Sequence, residues 1–477
     1  MLASDGVIVM HTGISKSNHP TDGKSGTGAV KREVQQVTSA QRETTYQTGS
    51  LFEKVAEKQN LKQAFKAVKR NKGAAGIDKV SVQEFAKHHD TNIRSIQEQL
   101  LSHEYQSNLV RGVKIPKPKG GTRQLGIPTV QDRVVQQAIA QVLTPVFDPT
   151  FSDSSYGFRP KRNAKQAVLA AKQYVADGRT WVVDIDLEAF FDKVNHDVLM
   201  AKLARSIQDK PLLKLIRKFL TSGMMNNGIC NKRTMGTPQG GPLSPLLANI
   251  MLHALDVELE KRGHLFCRYA DDCNIYLHSQ KAAERVLKSI TAFLEKTLKL
   301  KVNNDKSAAA KIGTRQFLGF RILNDSTITI APETQKRIFK SIRELTKRNR
   351  GMSLDTLIRQ VNCKMVGWFH YFKIAETSQL FHALDARIRR RLRCFRIKQR
   401  KRRYAIKTFL ARQGINQQES WALAMSSKGW WRKSLNPIAH RAMGKRWFDD
   451  RGLKSLMHLL VQYRDETAVC DSACTVV

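Results

Sequence analysis

The chain has 477 residues, which is too long for one compact core and suggests about two to four domains. Hydrophobic residues make up 41% of the chain and charged residues 26%, so the composition is that of a folded protein and excludes wholesale disorder. Lys and Arg number 81 against 41 Asp and Glu, and the net charge of +40 predicts a polyanionic partner, with nucleic acid as the first candidate.

The sequence pattern carries no signal for a membrane or an oxidising compartment. No apolar run reaches the roughly 18 residues that a transmembrane helix needs, and the N-terminal residues lack the pattern of a secretory signal. The seven cysteines are scattered, and Cys470 and Cys474 form a lone pair too small for a zinc site, so we expect free thiols. We therefore expect a cytoplasmic protein in a reducing compartment, without a membrane partner.

The N-terminal part of the chain changes from a polar extension to helices and a basic hairpin. Residues 1–48 are rich in Ser, Thr, Gly and Gln, show no periodicity and are predicted to be disordered. Order is expected from Leu51, where apolar residues begin to recur at helical intervals. Val110–Ile127 has turn signals between two basic, strand-like runs, which predicts a hairpin. Gln131–Leu143 carries an apolar helical stripe that Pro145 is expected to end.

The middle of the chain combines a short apolar strand with a loop that leads into a helix. Residues 180–186 (TWVVDID) form an apolar run with two acids, which is typical of a central strand that ends at a site. After a helix-rich stretch, Thr237–Gly241 (TPQGG) precedes a predicted helix over Ser244–Leu255. Ser244 is expected to be its N-cap and Pro245 its first helical residue.

Two adjacent acids stand at the tip of a predicted hairpin, in the sequence Tyr269-Ala270-Asp271-Asp272 between strands at Leu265–Arg268 and Cys273–Leu277. Two adjacent acids repel each other, and a divalent cation between them and a third acid would offset that repulsion. The alternative is that both acids are solvated at an exposed turn. Asp184 and Asp186 are two residues apart on one strand face, so either can supply the third acid. Acids that are distant in sequence and converge in space suit a two-metal phosphoryl-transfer site.

The C-terminal part differs in composition from the rest of the chain. Residues 281–298 form a predicted amphipathic helix, and 314–331 are expected to be paired short strands. Helices are predicted almost throughout from Pro332 onward. Residues 331–460 contain 31 Lys and Arg against 8 Asp and Glu, so most of the excess positive charge lies there. This shift marks the main predicted domain boundary.

Eight motifs follow one another along the chain: IPKPKGGTRQLGIPTVQDRVVQQA (115–138), SYGFRP (155–160), DIDLEAFFD (184–192), TPQGGPLSPLLANI (237–250), RYADD (268–272), NNDKS (303–307), FLGF (317–320) and GWFHYF (367–372). Their order resembles that of reverse transcriptases, and more narrowly that of the proteins encoded by group II introns. The resemblance covers roughly residues 51–455. The ordered set is far more specific than an isolated YADD sequence.

The resemblance implies an α+β fold, a right-hand polymerase with fingers and palm built on antiparallel sheet, followed by an α-helical thumb/maturase domain. The implied divisions are a disordered extension (1–48), fingers and palm (49–331), thumb/maturase (332–405), a basic DNA-binding segment (406–456) and a C-terminal tail (457–477). The implied enzyme is an RNA-directed DNA polymerase that also binds its group II intron RNA to assist splicing and retrohoming. Its expected partners are intron RNA, an RNA template with a DNA primer, target DNA and deoxynucleoside triphosphates, in a bacterial ribonucleoprotein particle.

The resemblance also assigns the metal-binding residues. Asp186, Asp271 and Asp272 resemble the three catalytic carboxylates, which would hold two Mg²⁺ ions, and Asp184 is the alternative for the first of them. Lys306 resembles a proton donor on the pyrophosphate side, with a solvated lysine as the alternative.

A second set of residues resembles the nucleotide-binding part of the family's site. Phe191 resembles the aromatic gate under the sugar, which would clash with a 2′-hydroxyl. Gln239, with Gly240 beside it, resembles the residue that steadies the incoming nucleotide and the template. Lys114 and Arg123 of the basic hairpin resemble the finger residues that neutralise the triphosphate.

A strongly basic helix is predicted in the thumb region. Eleven of the seventeen residues between Arg387 and Arg403 are Lys or Arg, and none is acidic. One side of this helix carries an apolar stripe that should face the core, formed by Leu384, Ile388, Leu392 and Phe395. The remaining cationic surface is expected to bind RNA phosphates, through Arg389, Arg393, Arg396 and Arg400. Four nearby tryptophans could stack on bases, with core packing expected for at least half: Trp421, Trp430, Trp431 and Trp447.

Two other functions compete with an active intron-encoded polymerase. One is an RNA-binding splicing cofactor that does not require polymerase activity, but the presence of Asp186, Gln239, Asp271 and Asp272 argues against it. The other is a reverse transcriptase of phage defence or of a CRISPR array, against which the GWFHYF thumb motif and the absence of a recognisable fused module argue.

Many relatives carry a Cys/His-rich endonuclease module at the C-terminus. The segment after Leu456 offers only His458, Cys470 and Cys474, without the paired spacing of such a site. We therefore expect the type that lacks an endonuclease, which would not cleave the second DNA strand and would prime from an existing DNA end.

Overall fold

A computed structural model gives the structure of residues 50–116, 120–226 and 228–474, with side chains described as far as residue 467. The extension predicted to be disordered (1–48) and residues 117–119 of the basic hairpin lie outside the described residues. The thiols of Cys470 and Cys474 lie outside the described side chains as well. Among the helices described, none combines the length and the apolar character needed to cross a bilayer.

The first two thirds of the chain mix helices and strands. The helices are α1 (Leu51–Ala56), α2 (Lys58–Arg70), α3 (Val82–Lys87), α4 (His89–Leu101), α5 (Val130–Phe147), α6 (Ala164–Ala176), α7 (Phe190–Lys193), α8 (His196–Ser206), α9 (Lys210–Thr221), α10 (Ser244–Lys261) and α11 (Gln280–Lys296). The strands are β1 (Val110–Pro116), β2 (Thr122–Ile127), β3 (Trp181–Ile185), β4 (Met224–Asn226), β5 (Ile229–Asn231), β6 (Leu265–Tyr269), β7 (Asp272–Leu277), β8 (Ala308–Lys311), β9 (Phe320–Ile322) and β10 (Ile328–Ile330).

Helices make up the regular structure from Pro332 onward, as predicted. They are α12 (Pro332–Leu345), α13 (Leu354–Phe372), α14 (Ser378–Gln399), α15 (Arg403–Ala411), α16 (Gln417–Met425), α17 (Trp430–Lys433), α18 (Pro437–Ala442), α19 (Lys445–Asp449) and α20 (Leu456–Cys474). The expected division between residues 331 and 332 coincides with the start of α12. The expected division between residues 405 and 406 falls inside α15, and the one between residues 456 and 457 falls inside α20.

The strands form two four-stranded sheets and one pair. The central sheet has the order β6-β7-β3-β8 and is antiparallel throughout. The second sheet has the order β2-β1-β4-β5, in which β1 and β2 form the predicted basic hairpin and β4 runs parallel to β1. Strands β9 and β10 pair with each other, within the 314–331 segment predicted to hold paired strands.

Strand β3 lies between two hydrophobic cores, which explains its continuous apolar sequence. Its side chains alternate between the two faces of the sheet, and both Val182 and Val183 are fully buried. Val183 packs with the helices of the N-terminal half, whereas Val182 packs with α6 and the C-terminal helices. The helices after residue 332 therefore share a core with the central sheet.

Two helix boundaries differ from the predictions. Helix α5 continues through Pro145 to Phe147, because the proline removes only one hydrogen bond in the last turn while Phe147 is buried. Helix α10 begins at Ser244 itself, so Leu243 is the N-cap and Pro245 is the second helical residue. The Ser244 hydroxyl instead donates to the carbonyl of Pro238 at 2.8 Å, which fixes the preceding TPQGG loop.

Candidate active site

The four candidate carboxylates lie at one end of the central sheet. Asp184 is in β3 and Asp186 follows its last residue, while Asp271 and Asp272 form the turn and the start of β7. In the register of the β3–β7 pair, Ile185 is opposite Cys273, so the next position on each strand brings Asp186 beside Asp272. The sequence-predicted convergence of the distant acids is present in the structure.

The electrostatics of this end of the sheet are repulsive. Burial, followed by the charges of Asp184, Asp271 and Asp186, raises the pKa of Asp272 to about 8. Burial, together with the charge of Asp186, also raises the pKa of Asp271, although Arg123 and Arg268 act in the opposite direction. The carboxylates therefore gain from an additional cation that would favour their ionised forms.

The donor chemistry fits a divalent cation. Carboxylate oxygens are the ligands that hard cations such as Mg²⁺ prefer. In the described part of the chain no three His, Cys, Asp or Glu side chains are gathered into a ready metal site. Lys306 supplies a positive charge beside one of these acids, because its Nζ lies 3.2 Å from Oδ2 of Asp186.

Asp184 is engaged by another residue. Arg315 donates from Nε and Nη2 to Oδ2 of Asp184, at 2.9 and 2.6 Å. Burial raises the pKa of Asp184, and the Arg315 guanidinium opposes that rise. The carboxylate is thus tied to the segment that leads into β9, and its side chain is less exposed than that of Asp186, at 16% against 39%.

A fully buried arginine lies directly beneath the two-acid turn. Arg268 donates from Nε to Asp256 at 2.6 Å, from Nη2 to the Ser155 hydroxyl at 2.7 Å and from Nη1 to Asn249 at 3.1 Å. Nη1 also donates to the carbonyl of Ala270 at 2.9 Å. The side chains of both members of the Arg268–Asp256 ion pair are inaccessible to solvent. Sequence reasoning missed this cluster, although an arginine inside the apolar strand LFCRY was the available signal.

The turn itself depends on close packing. Ala270 has a left-handed backbone with φ of 58°. Gly157 approaches it so closely that an added Cβ would lie 2.2 Å from the Ala270 nitrogen. The SYGFRP segment therefore packs against the backbone of the two-acid turn, and only glycine fits at that position.

The TPQGG loop brings three of the predicted nucleotide-binding residues together. The backbone N–H of Thr237 donates to the carbonyl of Phe191 at 2.6 Å, and Nε2 of Gln239 lies 3.5 Å from Oδ2 of Asp192. The N–H of Gly126 in β2 donates to the carbonyl of Gln239 at 3.0 Å. Gly240 has φ of 132°, and a Cβ there would lie 2.6 Å from the Gly126 carbonyl oxygen.

The neighbouring phenylalanines have different environments. Phe190 is only 2% exposed and belongs to the core, whereas Phe191 is half-buried. The two rings pack edge to face with centroids 5.2 Å apart. Phe191 is therefore the one of the pair that can contact a ligand.

The register of the basic hairpin separates Lys114 from Arg123. Arg123 is opposite Ile115 and Lys114 is opposite Gln124, so their side chains start from opposite faces. The charge of Arg123 acts on Asp271 and opposes the rise in the pKa of that carboxyl. Both side chains are exposed, but the structure does not bring Lys114 to the face that Arg123 uses.

Comparison with known families and proteins identifies the chain. Residues 115–322 match the family described as reverse transcriptase (RNA-dependent DNA polymerase), and residues 335–412 match the group II intron, maturase-specific domain. Protein YkfC of Escherichia coli K12 is 30% identical over 352 residues, which span 65% of this chain and 91% of YkfC. The chain belongs to the group II intron reverse transcriptase/maturase family.

Other relatives match shorter regions. The group II intron-encoded protein LtrA of Lactococcus lactis is 37% identical over 196 residues, which cover 40% of this chain and about a third (32%) of LtrA. A solved Cas6-RT-Cas1–Cas2 complex is 27% identical, with a TM-score of 0.35 over 53% of this chain and 44% of that chain. Telomerase from Candida albicans is 13% identical, with a TM-score of 0.39 over 72% of this chain and 71% of its own.

Family membership confirms several predictions from the motifs. The enzyme class is RNA-directed DNA polymerase, and the fold is α+β, with an antiparallel sheet and a helical C-terminal region. The family's functions are reverse transcription and the splicing and retrohoming of group II introns. Reverse transcriptases generally use divalent metal ions, in agreement with the donor chemistry at the central sheet.

The basic helix of this maturase, α14, is confirmed to pack through its apolar stripe. Leu384, Ile388, Leu392 and Phe395 are at most 3% exposed. Arg396 and Arg400 lie over the ring of Phe409, with guanidinium carbons 5.2 and 4.8 Å from its centroid. The aromatic ring therefore covers part of the surface that was expected to face RNA.

The expectation that Arg393 faces RNA is wrong. Arg393 is only 5% exposed, and its guanidinium donates to the carbonyls of Ser434 and Met443 at 3.1 and 3.3 Å and contacts His440 at 3.0 Å. Burial, together with the charges of Arg389 and Arg390, lowers its pKa to about 10. Helical spacing could not reveal this because the segment that covers Arg393 comes from residues 434–443.

We expect Asp256→Asn to lower the free energy of unfolding by about 3–5 kcal/mol, because it leaves Arg268 buried without its counter-charge. Glu258→Gln is the matched control on the same helix, where the carboxylate pairs with partly exposed Arg262 at 2.6 Å. That change should cost only about 0.3–0.5 kcal/mol. Urea denaturation of both variants measures the difference, and equal losses would contradict the importance of the buried pair.

Proposed function

We propose that this chain copies RNA into DNA at a site formed by Asp186, Asp271 and Asp272. The observation that carries this proposal is the convergence of these carboxylates at one end of the central sheet, within the region that matches the reverse transcriptase family. Two Mg²⁺ ions bound by them would activate the primer 3′-hydroxyl and stabilise the leaving pyrophosphate. Asp184 acts as a positioning residue through Arg315.

The residues around the carboxylates would handle the triphosphate. Arg123, whose charge acts on the pKa of Asp271, is the finger residue that we assign to the triphosphate. Lys114 starts from the opposite hairpin face, so a contact to the same phosphates would require it to reach around the strand. Lys306 is exposed and within reach of Asp186, which suits a proton donor to the pyrophosphate.

The loop between β5 and α10 would hold the nucleotide's sugar and base. Phe191 is half-buried beside this loop and would exclude a 2′-hydroxyl by its ring. Gln239 is fixed by the Gly126 contact, and Gly240 permits close approach to β2. Template and primer would lie between this loop and the C-terminal helices.

The basic C-terminal helices would bind the intron RNA and the target DNA. The net charge of residues 331–460 is strongly positive, and the maturase-specific match covers 335–412. We assign 332–405 to thumb and intron RNA, and 406–456 to DNA. The half-buried Arg389, Arg396 and Arg400 are the remaining candidates of the original four for phosphate contacts.

We expect Asp271→Asn to abolish Mg²⁺-dependent DNA synthesis on an RNA template, because it removes a metal-binding charge with little change of shape. Asp177→Asn, the same change at an exposed turn, is the control and should leave activity unchanged. Primer extension and intron RNA binding are measured together. A residual rate within about tenfold of the unsubstituted protein, equivalent to ~1.4 kcal/mol, would refute the assignment.

Phe191→Ala should increase ribonucleotide incorporation relative to deoxyribonucleotide incorporation by on the order of tenfold or more, because it removes the clash with a 2′-hydroxyl. Phe190→Leu is the matched control, since that ring is buried in the core and the change keeps an apolar filling. The measurement is the ratio of kcat/KM for the two nucleotides. An unchanged ratio in Phe191→Ala would show that another residue is the gate.

We expect the double change Arg389→Gln and Arg400→Gln to weaken RNA binding and to flatten the plot of log affinity against log salt. Each lost phosphate contact should reduce the slope by roughly 0.7–0.9. Arg393→Gln is the contrasting variant: it should leave the slope unchanged and cost about 1–3 kcal/mol of stability, because buried carbonyls lose their donor. A changed slope in Arg393→Gln alone would contradict its structural assignment.

A further inference from the structure

Phe158 of the SYGFRP segment combines two unfavourable features. Its side chain is 45% exposed, although it is a large apolar ring. Its backbone is left-handed, with φ of 58°, a conformation that bulky side chains rarely adopt. Strained backbone that persists in a native structure clusters at functional sites, so this residue calls for a functional explanation.

The segment around Phe158 is held firmly on both sides. Next to it, Arg159 donates to the Asp148 carboxylate at 2.8 Å and to the carbonyls of Asp148 and Ser155 at 2.9 and 3.0 Å. On the other side, the carbonyl of Gly157 accepts from Asn249 at 2.9 Å. These buried contacts impose the backbone conformation and leave the Phe158 ring outside.

The exposed ring lies beside the two-acid turn. Its centroid is 6.5 Å from that of Tyr269, which comes two residues before Asp271. Burial and then the charge of Tyr269 raise the pKa of Tyr371 in α13. The Tyr371 hydroxyl donates to the carbonyl of Leu318 at 3.1 Å. Phe158 and Tyr269 therefore form an aromatic pair next to the two-acid turn.

The chemistry of this surface favours a nucleic acid strand. Aromatic rings stack on bases and pack against the apolar faces of sugars. Lys161, three residues after Phe158, is exposed, so a positive charge lies close to the ring along the chain. The strand that must come closest to Asp271 is the primer, because its 3′-hydroxyl reacts there.

We propose that Phe158 and Tyr269 form a platform that binds the last nucleotides of the DNA primer strand. Phe158 is a primer-contact residue in this proposal, with no part in the chemical step. The proposal rests on the polymerase function argued above, since that function brings the primer end to Asp271.

Photo-crosslinking tests the contact directly. Phe158 is replaced by p-benzoylphenylalanine, and the full-length protein is irradiated with an RNA template annealed to a labelled DNA primer. We expect a crosslink to the primer within about three nucleotides of its 3′ end. The control replaces Leu169 of α6, another exposed apolar residue at 48% exposure, and should give no primer crosslink. A crosslink from position 158 to the template alone, to a second protein copy, or to neither strand would overturn the proposal.

Two substitutions separate binding from a structural role. Phe158→Gly removes the ring and also relieves the left-handed backbone, so the variant should be at least as stable as the unsubstituted protein. Its affinity for the primer–template duplex should nevertheless fall by about tenfold, whereas Phe158→Tyr should retain the affinity. Unchanged primer affinity in Phe158→Gly, or a loss of stability in that variant, would contradict the proposal.

The binding measurement is made by fluorescence anisotropy without nucleotide, so it does not depend on catalysis. Primer extension by the unsubstituted protein tests the polymerase function separately. Absent extension with intact, Phe158-dependent primer binding would count against the polymerase function alone. Normal extension without Phe158 dependence would count against the platform alone.

Discussion

The buried ion pair between Arg268 and Asp256 is the interaction on which the rest of the site depends. One guanidinium joins α10, the SYGFRP segment and the Ala270 carbonyl, so three separate parts of the chain meet at the base of the two-acid turn. A buried pair of this kind contributes less through net stability than through specificity, because few other arrangements satisfy all of its hydrogen bonds. The positions of Asp271 and Asp272 follow from that arrangement.

The same turn carries an electrostatic conflict that the protein alone resolves only in part. Arg315 and Lys306 each neutralise one acid of the β3 strand end, whereas burial and neighbouring charge raise the pKa of Asp272 to about 8. The Arg268 cluster holds the turn in one position, and the carboxylates beside it carry more negative charge than Arg315 and Lys306 neutralise. Together these features favour the binding of small cations in one geometry. The stabilising contacts thus lie below the turn, and the repulsion lies among the carboxylates of the proposed metal site.

The sequence predicted local elements better than the direction of individual side chains. Strand β3, the two-acid hairpin and the apolar stripe of α14 follow from periodicity and turn residues, and the structure contains all of them. The role of Ser244 and the burial of Arg393 depend on the Pro238 carbonyl and on residues 434–443, which no local pattern could supply. The identity of the Arg268 partners could not be predicted either, since they come from three parts of the chain that meet only in the fold.

Arginine side chains are packed in two different ways in this chain, and only one of them cancels the positive charge of the guanidinium. Arg268 is neutralised by an acid, whereas Arg393 is held by carbonyls, and Arg390 lies 3.8 Å from the Trp431 ring centroid. Carbonyls and aromatic rings hold a guanidinium without cancelling its charge. An acid at each of these positions would cancel the charge and weaken the positive field around α14. Arg393 and Arg390 therefore keep their positive charge because they are packed by neutral groups.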